Sequence, residues 1–216
     1  MTDIAIYKER THVRCLRDGY GFLSHNLWLI TKKMWAYMLT VAVLLTAMNF
    51  INVHINIAVM TNEEVTMSEV IISLCVDIAA LAAYILSIKK IFILHSRLAN
   101  TPYLYKGLAK KCLKNFFKIL GTMILSLVIQ ALLCAIIILP MIAVDNAYLT
   151  SIEGKYNFGD TALIPTYGYI LIAAVCIVCY FLTRIVAVGN WTTLILLYGN
   201  MYAKDKICHK PNKQLN

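Results

Sequence analysis

The sequence predicts an all-α integral membrane protein, a four-span helical bundle made of two hairpins. Three observations support this fold class. The chain is 60% hydrophobic and only 14% charged, it contains four long apolar stretches, and its basic residues gather outside those stretches. Soluble domains are closer to half apolar and about a quarter charged. A water-soluble particle of 216 residues would therefore lack the polar surface that it needs.

Each of the four apolar stretches is long enough to cross a hydrocarbon core of about 30 Å, which takes roughly 20 helical residues. Inside lipid, only helices and closed barrels satisfy their backbone hydrogen bonds, and these stretches lack the alternation of barrel strands. We therefore predict one membrane domain over 35–202, after a basic, amphipathic cytoplasmic segment (1–34) and before a basic cytoplasmic tail (203–216). The predicted spans cover about 35–54, 70–88, 119–143 and 167–187.

The distribution of charge predicts the orientation. Of the 20 Lys and Arg residues, only Lys155 lies in the connections that follow spans one and three. The other basic residues precede span one, fill the connection between spans two and three, or end and follow span four. Short loops rich in Lys and Arg remain cytoplasmic. Both termini are therefore predicted to be cytoplasmic, and the bacterial cytoplasmic (inner) membrane is the favoured host.

The last apolar stretch runs from Tyr167 to Met201, about 50 Å as a helix, which is too long for one span. We expect a break at Gly189-Asn190 and a short interfacial helix over about 190–202 at the cytoplasmic face. A fifth span is the alternative, and it would move the basic tail outside.

A second amphipathic segment precedes span three. Its basic side carries four lysines, and each juxtamembrane base is attracted to anionic lipid by about 1 kcal/mol. The predicted partner is therefore the bilayer, through anionic headgroups at its cytoplasmic face. A similar basic segment precedes span one, so a true repeat of the two halves remains open. The lysines are Lys110, Lys111, Lys114 and Lys118.

Six polar side chains in the predicted spans, or just past the end of span one, are candidate functional residues. An ionised Asp77 would cost about 2.5–3.5 kcal/mol inside the membrane, so it is either a proton or cation site or a paired structural carboxyl. Arg184 either extends to the headgroups or forms an ion pair. Gln130 is predicted to hydrogen-bond between helices. A polar stripe at i, i+3 and i+7 completes the set with Asn49, Asn52 and Asn56.

Cys176 and Cys179 form a C-x-x-C pair within span four. The pair resembles that of quinone-linked thiol oxidoreductases of four-helix type, which place it near the outer end of a helix. Here the pair lies in mid-membrane, and thiol relay needs partner cysteines that the outer loops lack. Small helix-packing residues are the favoured interpretation. The sequence predicts no catalytic residue, no metal site and no cofactor.

The favoured function is non-enzymatic: an accessory protein, scaffold or subunit of a membrane assembly, packing against other membrane proteins or itself. One alternative is a small oligomeric transporter or channel that uses Asp77 and the asparagine stripe. Another is an intramembrane enzyme acting on lipid or on a quinone and thiol. The net charge of +9 could indicate nucleic acid in a soluble protein, but its location here favours membrane topology instead.

Overall fold

A computed structural model describes residues 8–60, 64–98, 113, 115–158 and 165–208. The described residues form helices joined or preceded by short nonhelical segments, and none of them is in a strand. Four of the helices are long and apolar enough to cross a membrane, which confirms the predicted all-helical class and is consistent with a multi-pass membrane protein. The helices are α1 (His12–His25), α2 (Leu27–Met60), α3 (Met67–Leu98), α4 (Phe116–Phe158) and α5 (Thr166–Cys208).

Local hydrogen bonds cap the starts of α1 and α3 and the end of α1. The Thr11 side chain accepts a hydrogen bond from the backbone N–H of Arg14 and caps α1. Asn26 separates α1 from α2, and both its backbone and side-chain N–H groups donate to the Phe22 carbonyl. At α3, Thr66 and Glu69 form a capping box in which each side chain accepts from the other residue's backbone N–H.

Two long helices continue past their predicted ends. The expected break at Gly189-Asn190 is wrong, since α5 is continuous through both residues. Likewise α4 contains Pro140 and extends to Phe158, so much of the predicted outer connection is helical. The interfacial position of 190–202 stays a prediction.

The chain divides into two compact units. The first unit takes its described residues from Met1–Lys33, Ile88–Leu133 and Val186–Asn216. The second unit comprises Met34–Ser87 and Cys134–Ile185. Each of the four long helices contributes a segment to both units.

In the first unit, the apolar face of α1 is buried against other parts of the same unit. Cys15, Leu16 and Phe22 are buried there. A close approach at Gly19 brings α1 against the backbone of Thr193, so that an added Cβ would lie 3.0 Å from the Thr193 Cα. The apolar stripe that made 1–34 look amphipathic is therefore used within the first unit.

Candidate functional site

The main polar contact in the second unit joins α2 to α4. The Asn49 side-chain amide donates to both carboxylate oxygens of Asp145, at 3.2 and 3.4 Å. The same nitrogen lies 3.9 Å from the Cys176 Sγ on α5. Asn49 and Asp145 both lie within the candidate spans Leu27–Val59 and Ile119–Ser151. This charge-assisted bond thus lies in helices otherwise suited to lipid.

The asparagine stripe does not act as one surface. Its three members share a face of α2, as their spacing requires. Asn49 is half-buried against Asp145, whereas Asn52 and Asn56 are exposed. Asn49 is therefore the member of the stripe that contacts Asp145, a residue just past the predicted end of span three.

Three residues that can make polar contacts lie along one face of α5. Cys176, Tyr180 and Arg184 follow each other at i, i+4 and i+8, so helical geometry places them in a row. The Arg184 guanidinium carbon lies 4.9 Å from the centre of the Tyr84 ring on α3. Both residues are half-buried, and a cation–π contact between such residues contributes about 1–2 kcal/mol. The alternative of an ion pair for Arg184 is not observed within the described residues.

We call this set of side chains the polar seam: Asn49, Asp145, Cys176, Tyr180 and Arg184. Asp145 acts electrostatically on Cys176 and Tyr180, and Arg184 also acts on Tyr180. The acid and the base do not form an ion pair with each other in the described part of the chain. The seam therefore holds a negative and a positive group with separate neighbours. Asp145 accepts from an amide, whereas Arg184 lies over an aromatic ring and its Nε is shielded without a hydrogen-bond partner in the described residues.

Two predicted candidates lie outside the seam. Asp77 is half-buried on α3, and its Oδ1 is shielded without a hydrogen-bond partner among the described residues. Gln130 on α4 is also half-buried, and its Oε1 is likewise shielded and without a described partner. Neither residue is brought to Asn49 by a hydrogen bond. The four predicted lipid-facing lysines, Lys110, Lys111, Lys114 and Lys118, lie outside the described side chains.

No protein-family model, curated protein or solved structure matches the chain. The chemistry that the site can perform is therefore inferred from its own residues alone. Within the described residues, no group of three or more His, Cys, Asp or Glu residues is arranged to hold a metal ion. Cys176 and Cys179 are buried, free thiols.

The second unit also contains an apolar groove of about 200 Å³ between α2 and α3. Small side chains form it: Ala36 and Thr40 on α2 face Ala83 on α3, with Tyr37 and Leu86 beside them. The Thr40 hydroxyl donates to the Ala36 carbonyl, so its polar hydrogen is used within its own helix. The groove can accommodate hydrocarbon rather than a polar ligand.

Asp145 is the site residue that sequence reasoning missed. The predicted end of span three at about residue 143 leaves Asp145 just outside the span. One signal pointed the other way: the sequence from Met141 to Leu149 has no glycine or proline and remains largely apolar. Continuing the helix through this segment brings Asp145 into the span.

Proposed function

We propose that the chain is a non-enzymatic subunit or accessory protein of a membrane assembly. The observation that carries this proposal is the exposure of α4. None of the residues in its apolar 18-residue window is buried inside the chain, although the candidate span covers 33 residues. A helix with so little intramolecular cover is surrounded by lipid, by other proteins or by both.

Gln130 favours a protein neighbour for α4. Lipid tails satisfy apolar side chains as well as protein does, but they offer no hydrogen bond to an amide. Gln130 lies inside the candidate span and its Oε1 has no partner in the described structure. The shielded Oε1 is out of a neighbour's reach, but the side chain is only half-buried, so its accessible part can meet a polar group on a second helix. This supports association with another membrane protein or a second copy of the chain.

The charges support anionic lipid as a further partner. In the described part of the first unit, Glu9 is the one exposed acid among many exposed bases. The described charged side chains of the second unit are Glu64, Glu69, Asp77, Asp145 and Arg184, an acidic balance. A basic surface of this kind suits the anionic cytoplasmic leaflet, and the bacterial inner membrane is the proposed host. The exposed bases of the first unit are Lys8, Arg14, Arg17, Lys32, Lys33, Lys89, Lys90 and Arg97.

Site-specific photo-crosslinking in native membranes tests the association. A photoreactive amino acid at Leu127 lies near the Gln130 side of α4, whereas one at Leu132 lies on the opposite side. Both positions are exposed, at 49% and 64%. We expect a discrete protein adduct from Leu127 and lipid adducts from Leu132. An adduct of twice the 24.4 kDa chain mass identifies a second copy, and lipid adducts alone at both positions would contradict the proposal.

The proposed orientation has a separate test. Ser24 and Thr150 are exposed hydroxyl residues that each donate to a carbonyl of their own helix, so cysteine should be tolerated at both. In a background without the native cysteines, we expect Thr150→Cys to react with an impermeant maleimide on intact cells. Ser24→Cys should react only after permeabilisation. The reverse pattern, or labelling of both on intact cells, rules out cytoplasmic termini with four spans.

A small oligomeric transporter or channel is the second candidate, and the polar seam favours it. A carboxylate and a guanidinium within apolar helices are costly and often belong to ion or substrate paths. Ion flux in reconstituted vesicles that is lost in Asp145→Asn and retained in Asn52→Leu would support this function. Vesicles without flux above protein-free controls would exclude it.

A further inference from the structure

We propose that the groove between α2 and α3 holds an acyl chain of an anionic phospholipid, whose phosphate binds lysines one helical turn away. The inference rests on the anionic-lipid partner of the proposed function and narrows that general preference to one discrete site. Three features of the two helices support it: the lining of the groove, the charges beside it and its depth along the helices. The groove is lined by Ala36, Tyr37, Thr40, Ala83 and Leu86.

The lining of the groove is suited to hydrocarbon. Ala36 and Ala83 leave space because their side chains end at Cβ, and the Thr40 hydroxyl is already bonded to the Ala36 carbonyl. Pockets that enclose drug-sized ligands have volumes of roughly 300–1,000 Å³. The groove, at about 200 Å³, is smaller, so it fits a segment of one chain rather than a whole polar molecule.

The groove opens onto the surface of the two helices. Its lining residues Ala36 and Thr40 are exposed, and Leu86 is 53% exposed. The neighbouring Trp35 and Ile85 are also exposed and apolar, at 55% and 56%. An apolar surface of this kind on a membrane-spanning helix faces lipid tails at no cost. A chain of the surrounding bilayer can therefore enter the groove from the side.

Two lysines on each helix lie one turn beyond the groove. On α2 they precede Ala36 by three and four positions, and on α3 they follow Leu86 by three and four positions. Residues at this spacing are neighbours on one face of a helix. Neither helix carries an acidic residue within ten positions of these lysines, so the local charge is positive and attracts an anionic headgroup. The exposed lysines are Lys32, Lys33, Lys89 and Lys90.

The depth of the groove corresponds to the acyl chains just below a headgroup layer. At the other end of the two helices, the His54 Nε2 on α2 lies 3.2 Å from the Glu69 Oε1 on α3. Lys33 is 21 residues from His54, and Lys90 is 21 residues from Glu69. This length is about 32 Å of helix, close to the hydrocarbon thickness of about 30 Å. The lysines therefore reach the headgroups of one leaflet, with the groove one turn inside it.

Native mass spectrometry of the full chain in detergent tests the proposal, because it counts bound lipids directly. Phosphatidylglycerol and phosphatidylcholine with identical acyl chains are the two probes. We expect the first phosphatidylglycerol to bind about tenfold more tightly than phosphatidylcholine. Ala83→Phe fills the groove and should weaken that first binding step by about tenfold. Ala82→Phe, at the exposed neighbouring position, should leave it unchanged, and equal binding by the two variants overturns the groove assignment.

Charge-matched variants test the headgroup contact. Lys33→Gln combined with Lys90→Gln should remove most of the preference for phosphatidylglycerol, while Arg14→Gln combined with Arg17→Gln loses the same charge on α1 and should retain it. Equal losses in the two pairs would leave only a general attraction to anionic lipid and overturn the discrete site. No preference in the unaltered chain would contradict the anionic-lipid partner itself, and with it this site. A dimer that disappears in Ala83→Phe while lipid binding persists would assign the groove to a second copy and overturn the proposal.

Discussion

Replacing Gly19 with alanine is expected to lower the unfolding temperature of the detergent-solubilised protein by about 5 °C. The added Cβ would contact the Oγ1, the backbone N and the Cα of Thr193, the last two at 3.0 Å. A hydroxyl can rotate away, but the backbone of α5 cannot. Overpacking of this kind costs about 1–3 kcal/mol, and 1 kcal/mol shifts the transition by about 2–4 °C in a chain of this size.

Gly21→Ala is the matched control, because it lies on the same helix and its added Cβ meets nothing within 4 Å. Alanine is favoured over glycine in a helix by about 1 kcal/mol, so Gly21→Ala should leave the unfolding temperature unchanged or raise it slightly. Thermal unfolding followed by intrinsic fluorescence measures both variants. Equal effects of the two substitutions would show that α1 does not pack closely on α5.

Replacing Arg10 with leucine is expected to destabilise the first unit by about 2–3 kcal/mol. The Arg10 side chain is 5% exposed and its Nε donates to the Asp18 carboxylate at 2.9 Å. Breaking a fully buried ion pair costs about 3–5 kcal/mol. Asp18 retains 29% exposure, so water would compensate part of the loss and the expected value is lower.

Arg17→Leu provides the matched control, since Arg17 is near the same carboxylate at 3.8 Å but is 74% exposed. Exposed pairs contribute about 0–1 kcal/mol. Urea or thermal unfolding in mild detergent should therefore separate the two leucine variants clearly. A double variant with Asp18→Asn should add little to Arg10→Leu, because the interaction has already been lost. Additive losses would place the effect of Arg10 elsewhere, for example in its backbone bonds to Asn200.

The helical, membrane-compatible character of the chain follows from the sequence alone. Four apolar stretches, each about 20 residues long, can satisfy their backbone in lipid only as helices or barrel strands, and their composition excludes the barrel pattern. The structure contains a long helix at each stretch. Composition and length decide this outcome, because every residue of the stretch contributes to it regardless of its neighbours in space.

The ends of the helices depended on information that the sequence does not contain. Gly189-Asn190 has the composition of a helix end, yet α5 continues through it. The reason is tertiary: an added Cβ at Gly189 would lie 2.8 Å from the Tyr20 ring, so glycine serves close packing with α1. Similarly, the predicted end of span three at about residue 143 lies inside α4, which continues to Phe158.

The sequence by itself determined the helical class, the four candidate spans and the segregation of basic from acidic residues, because each depends on local composition. Only the tertiary structure decided which polar groups meet. Asn49 and Asp145 are 96 positions apart, and nothing in the spacing of α2 distinguishes Asn49 from Asn52. Their contact depends on how each helix is rotated about its axis against its neighbours, and that rotation is set by the packing of all the side chains along it.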